Sequence, residues 1–378
     1  RTMGGTQVLR DHVPDFDATV VEKLRSAGAV ILGKLNLTEG AMAGYNPEFQ
    51  IPLNPWNTGR WSGASSSGSG VATAAGLCFG SLGSDTGGSV RIPAALCGIV
   101  GLKPTYGLVS RFGLTPLSWS LDHPGPMVRT VEDAALAMNV MAGHDPKDVA
   151  SAKVDVPDYT TALTGDVRGL RIGVPEEYFD APLDPQVGQA VRDALDLLES
   201  MGAVVKPVSF PMFKDAFPIS TAILMAEASA YHRDLLTKDA EQLYPPIRLR
   251  LEAGLFISSA DYLRAQQART LFDRQARQLL EDVDLLAGPT EPVTAPQLLA
   301  TRVQAGETSM GTTPALTQYT RPYNITGMPA ISIPCGFSEA GLPYALQLAG
   351  RPFDELTVLR AAHAYEQATD WHKRRPPI

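Results

Sequence analysis

Apolar residues recur at helical spacing over residues 17–29 (DATVVEKLRSAGA), with Asp17 in front as a cap, and an apolar run at Ala29–Leu35 has the length of a short strand. The same spacing predicts helices at Val131–Ala142, Pro185–Met201, Ala216–Leu236, Ser259–Val283 and Glu355–Thr369. Between them lie short apolar runs bounded by Gly and Pro, DLLAGP at 284–289, Ala330–Cys335 and Tyr344–Ala349, which read as strands. Small residues over Val71–Gly76 suit a tightly packed helix. From Asn46 to Gly70 neither period is present, and the Gly, Pro, Ser and Asn content predicts a long irregular segment, which in compact domains usually has a function. Helices and strands alternate without a repeat, so the fold class expected is α/β, with a mixed central β-sheet covered by helices on both faces. No linker divides the chain. Asp145–Tyr159, its most polar stretch, reads as a surface excursion, and residues 1–378 read as a single large domain.

Composition supports this picture. With 44% hydrophobic and 19% charged residues, the 378-residue chain can bury a large core. A formal net charge of −8 argues against binding a phosphate backbone, which needs clustered Lys and Arg. The basic run Lys373-Arg374-Arg375 reads as a solvated tail. Cys78, Cys97 and Cys335 are far apart in apolar surroundings and read as buried small hydrophobes of a reducing compartment. No apolar stretch has the length of a membrane span. A cytoplasmic location is expected, with no metal and no cofactor. The partners expected are a small-molecule amide-like substrate and at most a second copy of the chain, with neither nucleic acid nor a membrane.

Two segments bear chemistry. In SDTGGSVR the glycines at 87 and 88 let successive N–H groups point at one spot, and Ser89 would place a hydroxyl beside them. Acyl transfer needs that combination of a nucleophile and a site for the developing oxyanion. Taken alone, the turn fits a phosphate-binding or structural role better. Upstream, SGASSSGSG has the composition of a flexible linker but runs directly into the small-residue helix and the Gly turn. Among the histidines, His123 in SLDHPGP is the one candidate for a Ser-His-Asp triad, and its Pro/Gly surroundings favour a structural role.

GASSSGSG, GSDTGGSVRIPAALCGIVGLKPTYG and SLDHPGPMVRTVEDAA resemble, in order and spacing, the signature region of the amidase signature family. The likeness extends to FDATVVEKLRSAGAVILGKLN, to DYLRAQQAR and to NITGMPAISIPCGF, covering nearly the whole chain. The resemblance implies a hydrolase of an amide-type bond, whether in an amide, an ester or a carbamate. Ser89 matches the family's nucleophile, and Ser65 its bridging serine beside a non-proline cis peptide. The amides of Thr86, Gly87, Gly88 and Ser89 match the oxyanion hole, and Asp85 and Arg91 match the residues that hold the turn. Ala64, Ser67 and Ser62 stand where the family usually has Gly, Gly and Pro. The family's third catalytic residue is a lysine, expected about ten residues upstream of Arg1, and Lys34 matches a different position. The pocket expected is lined by Met42, Ala43, Gly44 and Tyr45 and by residues 310–325, with Trp61 on the serine side. ISSADYLRAQQAR resembles stand-alone amidases more than the A component of an aminoacyl-tRNA amidotransferase, which makes that component the alternative expectation. An inactive scaffold is the alternative outside enzymes.

Overall fold

The computed structural model describes residues 1–378, and eight of its strands hydrogen-bond into one sheet. In chain order these are β1 (Gly80–Asp85), β2 (Val100–Lys103), β3 (His123–Val128), β4 (Arg171–Pro175), β5 (Val204–Val208) and β6 (Leu285–Pro289). A separate hairpin, β7 (Arg302–Ala305) and β8 (Thr308–Gly311), precedes β9 (Ala330–Phe337) and β10 (Pro343–Gly350). The spatial order is β1-β3-β2-β9-β10-β6-β4-β5. Only β4 runs parallel to its neighbours β5 and β6; the other pairs are antiparallel. The sheet is therefore mixed, as expected.

Alternation along the central strands sends side chains to two cores. Ile331 and Ile333 of β9, Leu346 and Leu348 of β10, and Leu285 and Ala287 of β6 meet the helices Val131–Met141, Pro185–Ser200 and Glu355–Gln367. Ala330, Ala349 and Leu286 face the other way, toward Ala216–Tyr231 and Ser259–Asp282. Polar residues interrupt this second face at Ser332 and Gln347, both buried, and these positions lead toward the site. The helix Pro185–Ser200 shows how local signals and packing agree. Asp184 caps it by accepting from Gln186 N, Pro185 opens it, and Val187, Val191, Ala194 and Leu198 form its buried stripe. Truncating Leu198 to Ala would cost about 2–5 kcal/mol.

Three expectations fail. Ala29–Leu35 forms no strand, and Val30 and Leu32 are 83% and 74% exposed. Apolarity suggested a strand there, but a strand also needs a hydrogen-bonding neighbour, and this segment pairs with none in the chain. Asp17 is not a cap: the first helix is Thr19–Ser26 with Ala18 at its N-cap, and Asp17 instead pairs with Arg25. Ala216–Leu236 is two helices, Ala216–Tyr231 and Arg233–Lys238, broken at His232. The other long helices and the strands at 284–289, 330–335 and 344–349 form within a few residues of their expected limits. No helix is long and apolar enough to cross a membrane.

Candidate active site

β1 ends at Asp85, the chain turns through Thr86–Val90, and the helix Arg91–Cys97 follows. Gly88 has φ +126, and a Cβ there would lie 2.4 Å from Thr320 Oγ1, so only glycine fits. The Asp85 carboxylate organises the turn from inside, accepting from Gly88 N (2.7 Å) and Val90 N (3.2 Å). Arg91 in turn grips Asp85 through Nε (3.0 Å) and Nη2 (2.9 Å). Its remaining N–H groups reach Thr320 O, Gln347 Oε1 and Asn324 Oδ1, each at 2.8 Å. All five guanidinium donors are thus used, at no exposure for either partner of the ion pair. Burial by itself would raise the Asp85 carboxyl, but the Arg91 charge overrides it and holds the group well below the ordinary carboxylate range.

The amide of Gly88 is committed to Asp85. Those of Thr86, Gly87 and Ser89 have no acceptor in the chain, and the same three residues line a pocket of about 350 Å³. The Thr86 hydroxyl is tied back to Asp122 Oδ1 at 2.6 Å.

The serine-rich run is no linker, because residues 61–70 are all buried. Gly63 sits where a Cβ would come within 2.5 Å of Pro93 Cα, so this run lies directly on the helix that follows the Gly-Gly-Ser turn. Ser66 N donates to Ser89 O (3.4 Å), and the Ala64–Ser65 peptide is cis, as the resemblance implied. Ser65 Oγ is buried without a hydrogen-bond partner in the chain, so none of the chain's lysines bonds to it. Lys34 is exposed beside Thr2. His123 does not line the pocket; it lies buried on β3.

Of the residues expected along the substrate, Met42, Ala43 and Trp61 line the pocket, as do Thr313, Leu316 and Thr317 from the 310–325 region. Gly44 and Tyr45 do not. Tyr45 stands behind Trp61, ring centroids 5.7 Å apart, and donates to Gly63 O at 2.7 Å. The lining also carries Arg250, which sequence reasoning missed, and Arg321, which lies within the expected 310–325 stretch but was not singled out; the Arg321 side chain packs close to Gly87 of the turn. Arg321 stacks on Phe217 at 4.4 Å and donates to the hydroxyls of Thr317, Ser220 and Thr221. Arg250 donates to Ala43 O. Neither has a carboxylate partner within salt-bridge distance. Burial, and then repulsion from Arg250, lowers Arg321 to about 10, so it remains a cation at neutral pH. A signal was available: from Thr308 to Phe337 the sequence has no other charged residue than Arg321.

The arrangement can hold an anionic group against the two guanidinium groups and, in the same pocket, present a carbonyl to Ser89 and three free amides. The family model described as amidase matches residues 1–359. The A component of the glutamyl-tRNA(Gln) amidotransferase of Chloroflexus aggregans is 46% identical, over all of this chain and 81% of that protein. Among solved structures, the A component of the amidotransferase of the same name from Thermotoga maritima is 37% identical with a TM-score of 0.84, over 98% of this chain and 80% of that one. A protein from a study entitled "An unexpected vestigial protein complex reveals the evolutionary origins of an s-triazine catabolic enzyme" is 35% identical with a TM-score of 0.93, over 97% of this chain and 80% of that one. These relatives correct the partner expectation of a small-molecule substrate with no nucleic acid, since proteins this similar are named for a tRNA and as one component of an assembly. Net charge misled because it bears only on direct phosphate contact; one member of an assembly need not itself hold the nucleic acid.

Proposed function

We propose that this chain, which belongs to the amidase family of enzymes acting on C–N bonds, is the amide-cleaving component of a Glu-tRNA(Gln) amidotransferase-type assembly. The observation that carries the reading is that Ser89 and the turn with its three free amides line the same pocket as two uncompensated guanidinium groups. A donor amide that also bears a carboxylate, such as glutamine or asparagine, suits both sets of groups. Its carboxylate would lie against Arg321 and Arg250, forming charge-assisted bonds. Its amide carbonyl would lie in the turn, the oxygen facing the N–H groups of Thr86, Gly87 and Ser89.

Ser89 Oγ attacks that carbonyl as its proton passes to Ser65 Oγ, which gives its own proton to a neutral amine, the lysine that the family resemblance implies. The amides stabilise the oxyanion, and the proton returned through Ser65 lets ammonia leave, with the acyl group on Ser89. Water then hydrolyses the ester. An alcohol is no base, so Ser65 acts as a relay; what supports the role is that its segment is tied to Ser89 through Ser66 N and that its buried oxygen is engaged by no other group of the chain. The relatives' names support transfer of the released ammonia to a tRNA-linked glutamyl group.

Ammonia release by the complete assembly should be measured with glutamine, asparagine and their α-carboxamide derivatives, and then for incorporation into Glu-tRNA(Gln). The expected result is a preference of at least about tenfold for the free carboxylates, a difference of about 1.4 kcal/mol or more, with the ammonia appearing on the tRNA. Equal turnover of the neutral amides would defeat the carboxylate anchor. Hydrolysis without tRNA amidation in the presence of all partners would defeat the amidotransferase reading.

A further inference from the structure

His123 faces Asp85 across the β1–β3 pair and is only 2% exposed. Its Nδ1 lies 2.6 Å from the Leu121 carbonyl oxygen and 3.2 Å from that of Asp85. Both oxygens can only accept, so the ring proton is on Nδ1, and Nε2 is the bare nitrogen without a partner. Burial first, and then the charge of Lys103, lowers the imidazole well below its ordinary value and keeps it neutral. Asn324 Nδ2 donates to the same Asp85 oxygen at 2.9 Å.

That oxygen belongs to the Asp85–Thr86 peptide. The unit is planar, so fixing its C=O fixes the direction of the N–H on Thr86, and this amide is one of the three left free in the turn. The flanking residues are wired in the same way, since Asp122 holds the Thr86 hydroxyl at 2.6 Å and lies between Leu121 and His123. We propose that His123 is a positioning residue of the acyl-transfer site: its Nδ1–H holds the Asp85–Thr86 peptide plane and so aims the Thr86 amide at the substrate's carbonyl oxygen. This rests on the reading of Ser89 as nucleophile. It gives His123 no proton-transfer role, consistent with its place outside the pocket.

The test uses the complete enzyme with His123→Asn, whose amide nitrogen falls near the position of Nδ1, His123→Gln, whose amide falls near Nε2, and His123→Ala. The measurements are kcat, KM, thermal unfolding, and affinities for a boronic acid that becomes tetrahedral on Ser89 and for a carboxylate product. The Gln and Ala variants should lose about 10- to 100-fold in kcat, part of the loss for deleting an oxyanion donor outright. Boronate affinity should fall in parallel, with KM and product affinity within about twofold, and His123→Asn should recover most of the loss. A folded His123→Gln enzyme with wild-type kcat and boronate affinity would overturn the proposal, as would failure of all three variants to fold. So would a loss of about 10³-fold or more with boronate affinity intact, which would indicate a base. Turnover retained in Ser89→Ala would defeat the nucleophile reading itself; an inactive Ser89→Ala beside a normal His123→Gln defeats only the positioning role.

Discussion

Two buried arginines lie close to the Thr86–Val90 turn in opposite electrostatic states. Arg91, beneath the turn, spends every N–H on Asp85, Asn324, Gln347 and the Thr320 carbonyl. Arg321, on the pocket wall, has hydroxyls and an aromatic face but no anion. A buried charge that is fully paired fixes a shape, and breaking the pair leaves a bare ion behind. A buried charge left uncompensated is poised for a ligand that completes it. The first therefore belongs to the architecture of the turn, and the second to recognition.

The sharpest way to break this division is to remove Ser89, the proposed nucleophile. Ser89→Ala should lower turnover by about 10⁴-fold or more, while a carboxylate-bearing donor still binds with nearly its original affinity, read by calorimetry. Substantial turnover in that variant would remove Ser89 from the mechanism.

Arg91→Met should instead act on stability. With Asp85 left unpaired, the protein should lose about 3–5 kcal/mol, read by denaturant unfolding. The sign with pH follows from the depressed Asp85 carboxyl: the stabilisation is present above about pH 4, the unfolded value, and is lost as pH falls toward the folded one. The Arg91→Met protein should lack that acid-side dependence. An unchanged midpoint would show that the pair does not hold the turn.

Arg321→Gln should leave stability nearly unchanged and raise KM for a carboxylate donor by about 10- to 100-fold, the worth of about 1.5–3 kcal/mol for a bond to a charged group. Its KM for a neutral amide should not move. A similar rise for both substrates would make Arg321 a packing residue like Arg91.

The smallest effect concerns Asp122. Burial raises its carboxyl to about 6, although Thr86 and the amides of Leu117 and Ser118 favour the charged form. Because the folded value lies above the unfolded one, its protonation adds stability as pH falls from about 6 to about 4. Activity should move the other way over the same window, a few-fold at most, because the protonated carboxyl gives up an acceptor needed near Thr86. Asp122→Asn should flatten this limb of the pH profile; an unaltered limb would place the ionisation elsewhere.

Ser89, Ser65, Asp85 and Arg91 were singled out through the family resemblance of two short motifs, because the composition of each motif alone fitted a structural turn or a linker better. Arg250 was not, and Arg321 only as one of the residues 310–325, since the two approach one pocket from segments about seventy residues apart. Val30–Leu32 misled because an apolar run carries no record of whether a neighbour exists. His123 was read as structural, which its burial supports, but nothing in the sequence connected it to the carbonyl of Asp85.

By itself, then, the sequence determined the helices, the central strands, the α/β class and the Gly-Gly-Ser turn, because periodicity and glycine geometry act over a few residues. Only the tertiary structure decided which amides of the turn stay free, which arginine is paired, and that the serine-rich run lies buried against the Arg91–Cys97 helix. Those outcomes depend on partners brought together from distant segments, and the state of a buried polar group is set by whatever surrounds it in three dimensions.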